Sequence, residues 1–186
     1  GSTDAAAVMK GINHLYRLGL SPAQLMEASV AIGADVPYCI LGGTALAEGI
    51  GEKLTPLPPL PPCHILIAKP DISVSTKYVY EHLDAGGLEA HPDIDGMVQA
   101  IRDGSLRDVL ERMANVLETV TVPAHPVIAD IKARMRELGA ADSLMSGSGP
   151  TVFGIFRQED LKLAEAALEQ FGQEDLAGQA FLTTPV

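Results

Sequence analysis

The chain has 186 residues, 47% of them hydrophobic and 20% charged, with no tryptophan. That is enough for one full domain, or a domain and part of another, around an aliphatic core. A net charge of -11 argues against a nucleic-acid binder, which needs a basic stripe to replace counterions, but leaves room for phosphate ligands held by backbone N–H groups and a metal ion.

The opening Gly1-Ser2-Thr3-Asp4-Ala5-Ala6-Ala7 has no initiator methionine and runs straight into a helix, so Gly1-Ser2 reads as a cleavage scar or the start of a fragment. Thr3 or Asp4 is expected to cap a helix over 5–18, with Val8, Ile12, Leu15 and Leu18 as its apolar stripe and Gly19 as its stop. Ser21-Pro22 starts a second helix, to about Ala31, and the hairpin delivers Asp35 at its exit. Asp35 is the only carboxylate in the apolar, glycine-bounded run from Val30 to Thr44. An acid placed there is costly unless it does chemistry or finds partners. Asp35-Val36-Pro37 also spells a helix N-cap with proline in the first turn, and the two readings are compatible.

Residues 41–47 then read as a turn into a strand, followed by Glu48-Gly49-Ile50-Gly51-Glu52 and a second short strand near Lys53-Leu54-Thr55. Glu48 and Glu52 either contact substrate or metal or are exposed acids at strand ends. Five prolines in residues 56–62 can sustain neither helix nor central strand, so the domain boundary is drawn there, separating 1–57 from 58–186. The run is a stiff connector or, less simply, a polyproline ligand for another protein.

Beyond it, His64 to Ala68 is a buried-type strand, and helices are expected over 75–83, 94–101, 106–117 and 126–138. Strands at 144–145 and 151–156 flank the glycine turn Ser146-Gly147-Ser148-Gly149-Pro150. An amphipathic helix over 159–171 and a strand over 179–183 follow. This order suggests an α+β layered sheet covered on one face. Cys39 and Cys63 share no metal-ligand spacing, so free intracellular thiols are expected and no zinc site. No run of about 18 apolar residues and no secretory start is visible, so no membrane span is expected and the cytoplasm is the simplest address.

Three elements carry chemistry. Gly1-Ser2-Thr3-Asp4, at a helix start, offers free N–H groups and two hydroxyls to a phosphate chain or its magnesium, or is a plain cap. Ser146 to Pro150 is either a ligand loop, where glycines let backbone approach a phosphate, or a tight hairpin turn. Asp35 is suited to accept a proton from a substrate hydroxyl or to orient that hydroxyl toward phosphorus. Lys10, Lys53 and Lys69 reach it only through the fold.

On these residues the chain resembles the GHMP small-molecule kinases. Residues 1–7 look like the tail of their glycine-rich phosphate loop and the following helix, and Met145-Ser146-Gly147-Ser148-Gly149-Pro150-Thr151-Val152-Phe153 looks like their C-terminal glycine motif. Gly33 to Tyr38, followed by Ala47 to Glu52, narrows the resemblance to the member acting in the non-mevalonate isoprenoid route. The resemblance implies the C-terminal domain of that family, an antiparallel sheet with helices packed on one face, preceded by the helical edge of the nucleotide domain. It implies phosphorylation, with ATP and magnesium, of the 2-hydroxyl of a cytidine-diphosphate-linked methylerythritol. Asp35 matches the catalytic aspartate. Gly1, Ser2 and Thr3 match the end of the phosphate loop, and Gly147, Ser148 and Gly149 match the loop that closes over the transferring phosphate. Tyr80 matches an aromatic position that stacks on cytosine, with Thr76 and Ile50 as neighbours in that pocket; a core tyrosine is the alternative. Upstream family elements, including most of the phosphate loop and a catalytic lysine, have no counterpart here, so the 186-residue chain is expected to be inactive alone. A homoserine or mevalonate-type kinase and a non-catalytic binding module are the competing readings.

Overall fold

The computed structural model describes residues 1–84, 86–87, 91–174 and 176–185. Two compact units result, Gly1–Pro59 and Leu60–Pro185, and the division falls inside the proline run.

The first unit holds α1 (Ser2–Leu15), α2 (Pro22–Ser29), α3 (Val36–Leu41) and an antiparallel hairpin of β1 (Ala45–Glu48) and β2 (Lys53–Pro56). Ser21 and Gln24 form a reciprocal capping box at the start of α2, which satisfies two N–H groups that the helix itself cannot. The Asn13 amide closes the α1–α2 turn by bonding both N–H and C=O of Leu20. Ala6, Leu25, Val36 and Ile40 form the core, with Ala5, Met9, Met26 and Cys39 packed around them.

The expected apolar stripe of α1 faces the other way. Val8 is 59% exposed and Leu15 74%, whereas Ala6 is buried. Helix α1 is apolar on two faces, and the small Ala5-Ala6-Met9 face is the one that lets α2 and α3 approach closely. The helix also starts earlier than expected, at Ser2 with Gly1 in the cap position.

The second unit contains β3 (Cys63–Lys69), α4 (Thr76–His82), α5 (Ile94–Arg102), α6 (Leu106–Glu111), α7 (Glu118–Ala124), α8 (Val127–Glu137), β4 (Asp142–Met145), β5 (Val152–Arg157), α9 (Leu161–Gln173) and β6 (Gln179–Thr183). The sheet order is β4-β5-β3-β6, antiparallel throughout. Register puts Leu66, Ala68, Met145, Val152 and Phe156 on one sheet face, where they meet Ile128, Ile131 and Met135 of α8 and Ala164, Ala167 and Phe171 of α9. Each large apolar side chain removed from water here contributes about 1.5–3 kcal/mol before entropy costs.

The helix expected over 106–117 stops at Glu111. Arg112 caps it and is held by the Asp93 carboxylate at 3.2 Å and by the Asp108 carbonyl at 2.9 Å. The next helix, α7, has the composition Glu-Thr-Val-Thr-Val-Pro-Ala, a weak helix former. Packing decides its form, since Thr121 is buried and Val120 and Val122 lie against the core. No helix among the described residues is long and apolar enough to cross a membrane.

Candidate active site

In the first unit the chain leaves α2 through Gly33-Ala34 and enters α3 at Asp35. Asp35 occupies the N-cap position with φ -86° and ψ -10°, and its carboxylate makes no cap hydrogen bond. A capping aspartate normally has extended backbone, which aims its carboxylate at the N–H groups of the first turn. Here the helical backbone leaves the carboxylate exposed and, among the described residues, without a partner. The Asp35 carbonyl accepts the Cys39 N–H at 3.2 Å, and Cys39 Sγ lies 3.7 Å from Thr3 Oγ1. One helical turn therefore links Asp35 to the start of α1, where Ser2 and Thr3 sit with first-turn N–H groups free of intrahelical partners. Of the candidate lysines, Lys10 donates to the Cys39 carbonyl at 3.3 Å.

The turn carrying Ile50 lies against the same segment: a Cβ on Gly51 would stand 3.6 Å from the Ala34 carbonyl oxygen. Glu52 Oε2 accepts the Ile50 N–H at 2.7 Å. Its own N–H and that of Ile50 hold the Glu52 carboxyl below the usual range. Glu52 thus shapes the turn, and Ile50 projects from it with 73% exposure.

In the second unit, Ser75 caps α4 through a bond from the Tyr78 N–H. Val79 is buried in the core, which turns Thr76 and Tyr80, four residues apart on one face, outward. Tyr80 is 61% exposed, so it is no core tyrosine. Thr76 Oγ1 lies 2.9 Å from Ser148 Oγ, joining this helix face to the glycine loop. The neighbouring Tyr78 instead stacks on His82, with ring centroids 3.9 Å apart.

The loop between β4 and β5 is closed by Ser146 N–H to the Thr151 carbonyl at 2.8 Å and Gly149 N–H to the Ser146 carbonyl at 3.0 Å. Gly147 and Gly149 have φ of 56° and 85°. A Cβ on Gly149 would lie 2.7 Å from Met145 Sδ, whereas Gly147 faces open space. The outer side of the loop is therefore bare backbone that a phosphate can approach.

Three residues absent from the sequence expectations hold this loop. Asn115 donates to the carbonyls of Met145 and Gly147, each at 2.8 Å. Thr121 Oγ1 donates to the Ser148 carbonyl at 3.2 Å, and Glu118 Oε1 accepts the Met145 N–H at 2.8 Å. Their signal in the sequence is Asn115 and Glu118 standing as polar residues within the apolar stretch from Met113 to Val122. A cavity of 740 Å³ in this unit is lined by Asn115, Glu118, Lys132 and Arg136 among others, and by none of Thr76, Tyr80 or Gly147 to Gly149.

The model of the GHMP kinase N-terminal domain matches residues 1–43, and that of the GHMP kinase C terminus matches residues 97–174. A protein of Lachnospira eligens named 4-diphosphocytidyl-2-C-methyl-D-erythritol kinase is 56% identical over 93% of this chain and 60% of its own length. A crystal structure of 4-(cytidine 5'-diphospho)-2C-methyl-D-erythritol kinase superposes with TM-score 0.79 at 31% identity, over 98% of this chain and 63% of that one. The homoserine kinase of Cytophaga hutchinsonii shares the fold, with TM-score 0.72 at 22% identity over 94% of this chain and 61% of that one. The chain spans about three fifths of the length of such relatives, 60% for the Lachnospira protein. With both family models placed in order on an α+β fold of two units, the chain belongs to the GHMP kinase family.

Proposed function

We propose that this chain is part of an enzyme that uses ATP to phosphorylate the 2-hydroxyl of 4-diphosphocytidyl-2-C-methyl-D-erythritol, in the supply of isoprenoid precursors. The observation that carries a kinase site is the 2.9 Å contact between Thr76 and Ser148, which joins the helix presenting Tyr80 to the bare glycine loop. The substrate is taken from the names of the relatives.

Each residue then has a physical task. Tyr80 supplies an exposed aromatic face for the cytosine ring, with Thr76 beside it; in the first unit Ile50 is an exposed apolar side chain available to the substrate. Gly147, Ser148 and Gly149 offer N–H and hydroxyl donors to the transferring phosphate, and Gly1, Ser2 and Thr3 offer the start of α1 to the nucleotide's phosphates. The exposed Asp35 carboxylate accepts the hydrogen bond of the 2-hydroxyl and aims its oxygen at phosphorus. Magnesium, held by the phosphate oxygens of ATP, would accompany the nucleotide. The reaction belongs in the cytoplasm, where ATP is supplied.

The test is substrate preference in the full-length protein: phosphate transfer from ATP to the diphosphocytidyl substrate, to homoserine and to mevalonate. Preference for the first is expected; preference for either of the others refutes the substrate assignment.

A further inference from the structure

We propose that Glu118 is a positioning residue that fixes the glycine loop for phosphoryl transfer, acting through Met145; this rests on the kinase reading above. Met145 ends β4, the outer strand next to β5. Ser146 N–H bonds Thr151 across the hairpin, so by alternation the N–H and C=O of Met145 point to the open edge of the sheet. Met145 is only 1% exposed, and a buried backbone N–H needs an acceptor.

Glu118 provides that acceptor and Asn115 provides the matching donor to the Met145 carbonyl. Two side chains thus stand where a further strand would lie, and the same Asn115 amide reaches on to the Gly147 carbonyl. The second carboxylate oxygen of Glu118 is held by Lys132 of α8, in an ion pair whose side chains are 15% and 19% exposed. Lys132 is anchored in turn, because its backbone carbonyl accepts the Ser143 hydroxyl at 2.9 Å.

The Met145 side chain transmits this constraint. Its sulfur lies 2.7 Å from where a Cβ of Gly149 would be, so a shift of Met145 displaces the loop. One Glu118 carboxylate oxygen accepts the Met145 N–H and the other faces Lys132, which makes it a residue acting through another and not one that touches phosphate.

The test is steady-state kinetics of the full-length protein with ATP and whichever of the three alcohols it turns over, paired with amide exchange of the Met145 segment. Glu118→Ala is expected to lower kcat about tenfold while KM for the alcohol stays within roughly threefold, since misplacement of reacting groups costs rate more than binding. The double variant Glu118→Gln with Lys132→Met keeps an acceptor for the Met145 N–H without a half-buried unpaired charge, and is expected to recover most of kcat. Exchange at Met145 is expected to rise about tenfold in Glu118→Ala. Unchanged exchange overturns the proposal. So does a kcat within roughly twofold of the parent, or a parallel loss of kcat and both KM values that the double variant fails to rescue. Turnover of homoserine in place of the cytidine substrate refutes the substrate assignment alone, and the Glu118 test then proceeds on homoserine.

Discussion

Thr76 and Ser148 share a hydrogen bond of 2.9 Å although 72 residues separate them in the chain. This contact couples the face of α4 that bears Tyr80 to the loop whose glycines leave backbone open, so the features of the second unit proposed to hold the base and the phosphate share one geometry. Thr76→Val keeps the branched shape and removes the hydroxyl. In the full-length protein it is expected to lower kcat/KM for the cytidine substrate by about tenfold, the value of one hydrogen bond, with little change in Tm. A kcat/KM equal to that of the parent would show that the contact has no part in the reaction.

The two loop glycines are predicted to fail differently on mutation. At Gly149 the backbone is left-handed and a Cβ would meet Met145 Sδ at 2.7 Å, so Gly149→Ala is expected to destabilise the fold by on the order of 3 kcal/mol. At Gly147 the space is open, so Gly147→Ala is expected to cost about 1 kcal/mol in stability yet to obstruct the approach of phosphate. Urea unfolding alongside ATP turnover separates the two; equal stability losses would contradict the geometry.

The guanidinium of Arg134 on α8 grips Glu174, just beyond α9, with Nε at 3.0 Å from both carboxylate oxygens. Those donated bonds hold the Glu174 carboxyl below its ordinary value of 4.5. The folded chain therefore binds fewer protons than the unfolded one in that range. The stabilisation is fully present above the unfolded pKa and is lost as pH falls through the lower folded value. Glu174→Gln is expected to lower Tm at neutral pH, with the difference from the parent shrinking as the pH drops into the carboxylate range. A difference that stays constant with pH would rule out the ion pair as its source.

Thiol labelling should distinguish the two cysteines, both free. Cys63 is 2% exposed, and burial pushes its thiol up, whereas Cys39 is half-buried beside Thr3. Native-state labelling of Cys39 is expected to be about a hundredfold faster than that of Cys63. Comparable rates would mean that the start of β3 opens readily.

Much of the architecture could be read from pattern. The helix expected over 75–83 is α4, and the Ser75 hydroxyl before it accepts the Tyr78 N–H. Gln179 to Thr183 was legible as a strand between turn residues. The buried face of α1 was not legible, because Val8, Ile12 and Leu15 repeat with helical spacing as well as the Ala6 face does. Helix α7 was hidden by its β-branched composition. The supports of the glycine loop were hidden for another reason: Asn115, Glu118 and Thr121 reach backbone groups 27 to 32 residues away, and no local pattern encodes such pairs. Asp35 stood out as the only carboxylate in its apolar run, but its lack of a cap bond depends on a backbone conformation that residue types do not reveal.

The most direct test of the account is the turnover of the full-length protein with ATP and 4-diphosphocytidyl-2-C-methyl-D-erythritol, compared between the parent and Asp35→Asn. The substitution keeps the size of a side chain that has no described partner, so the fold is expected to be unchanged. The account predicts a fall in kcat of roughly a hundredfold or more with substrate binding retained. Phosphorylation of the cytidine substrate by Asp35→Asn at the parent's rate would contradict it.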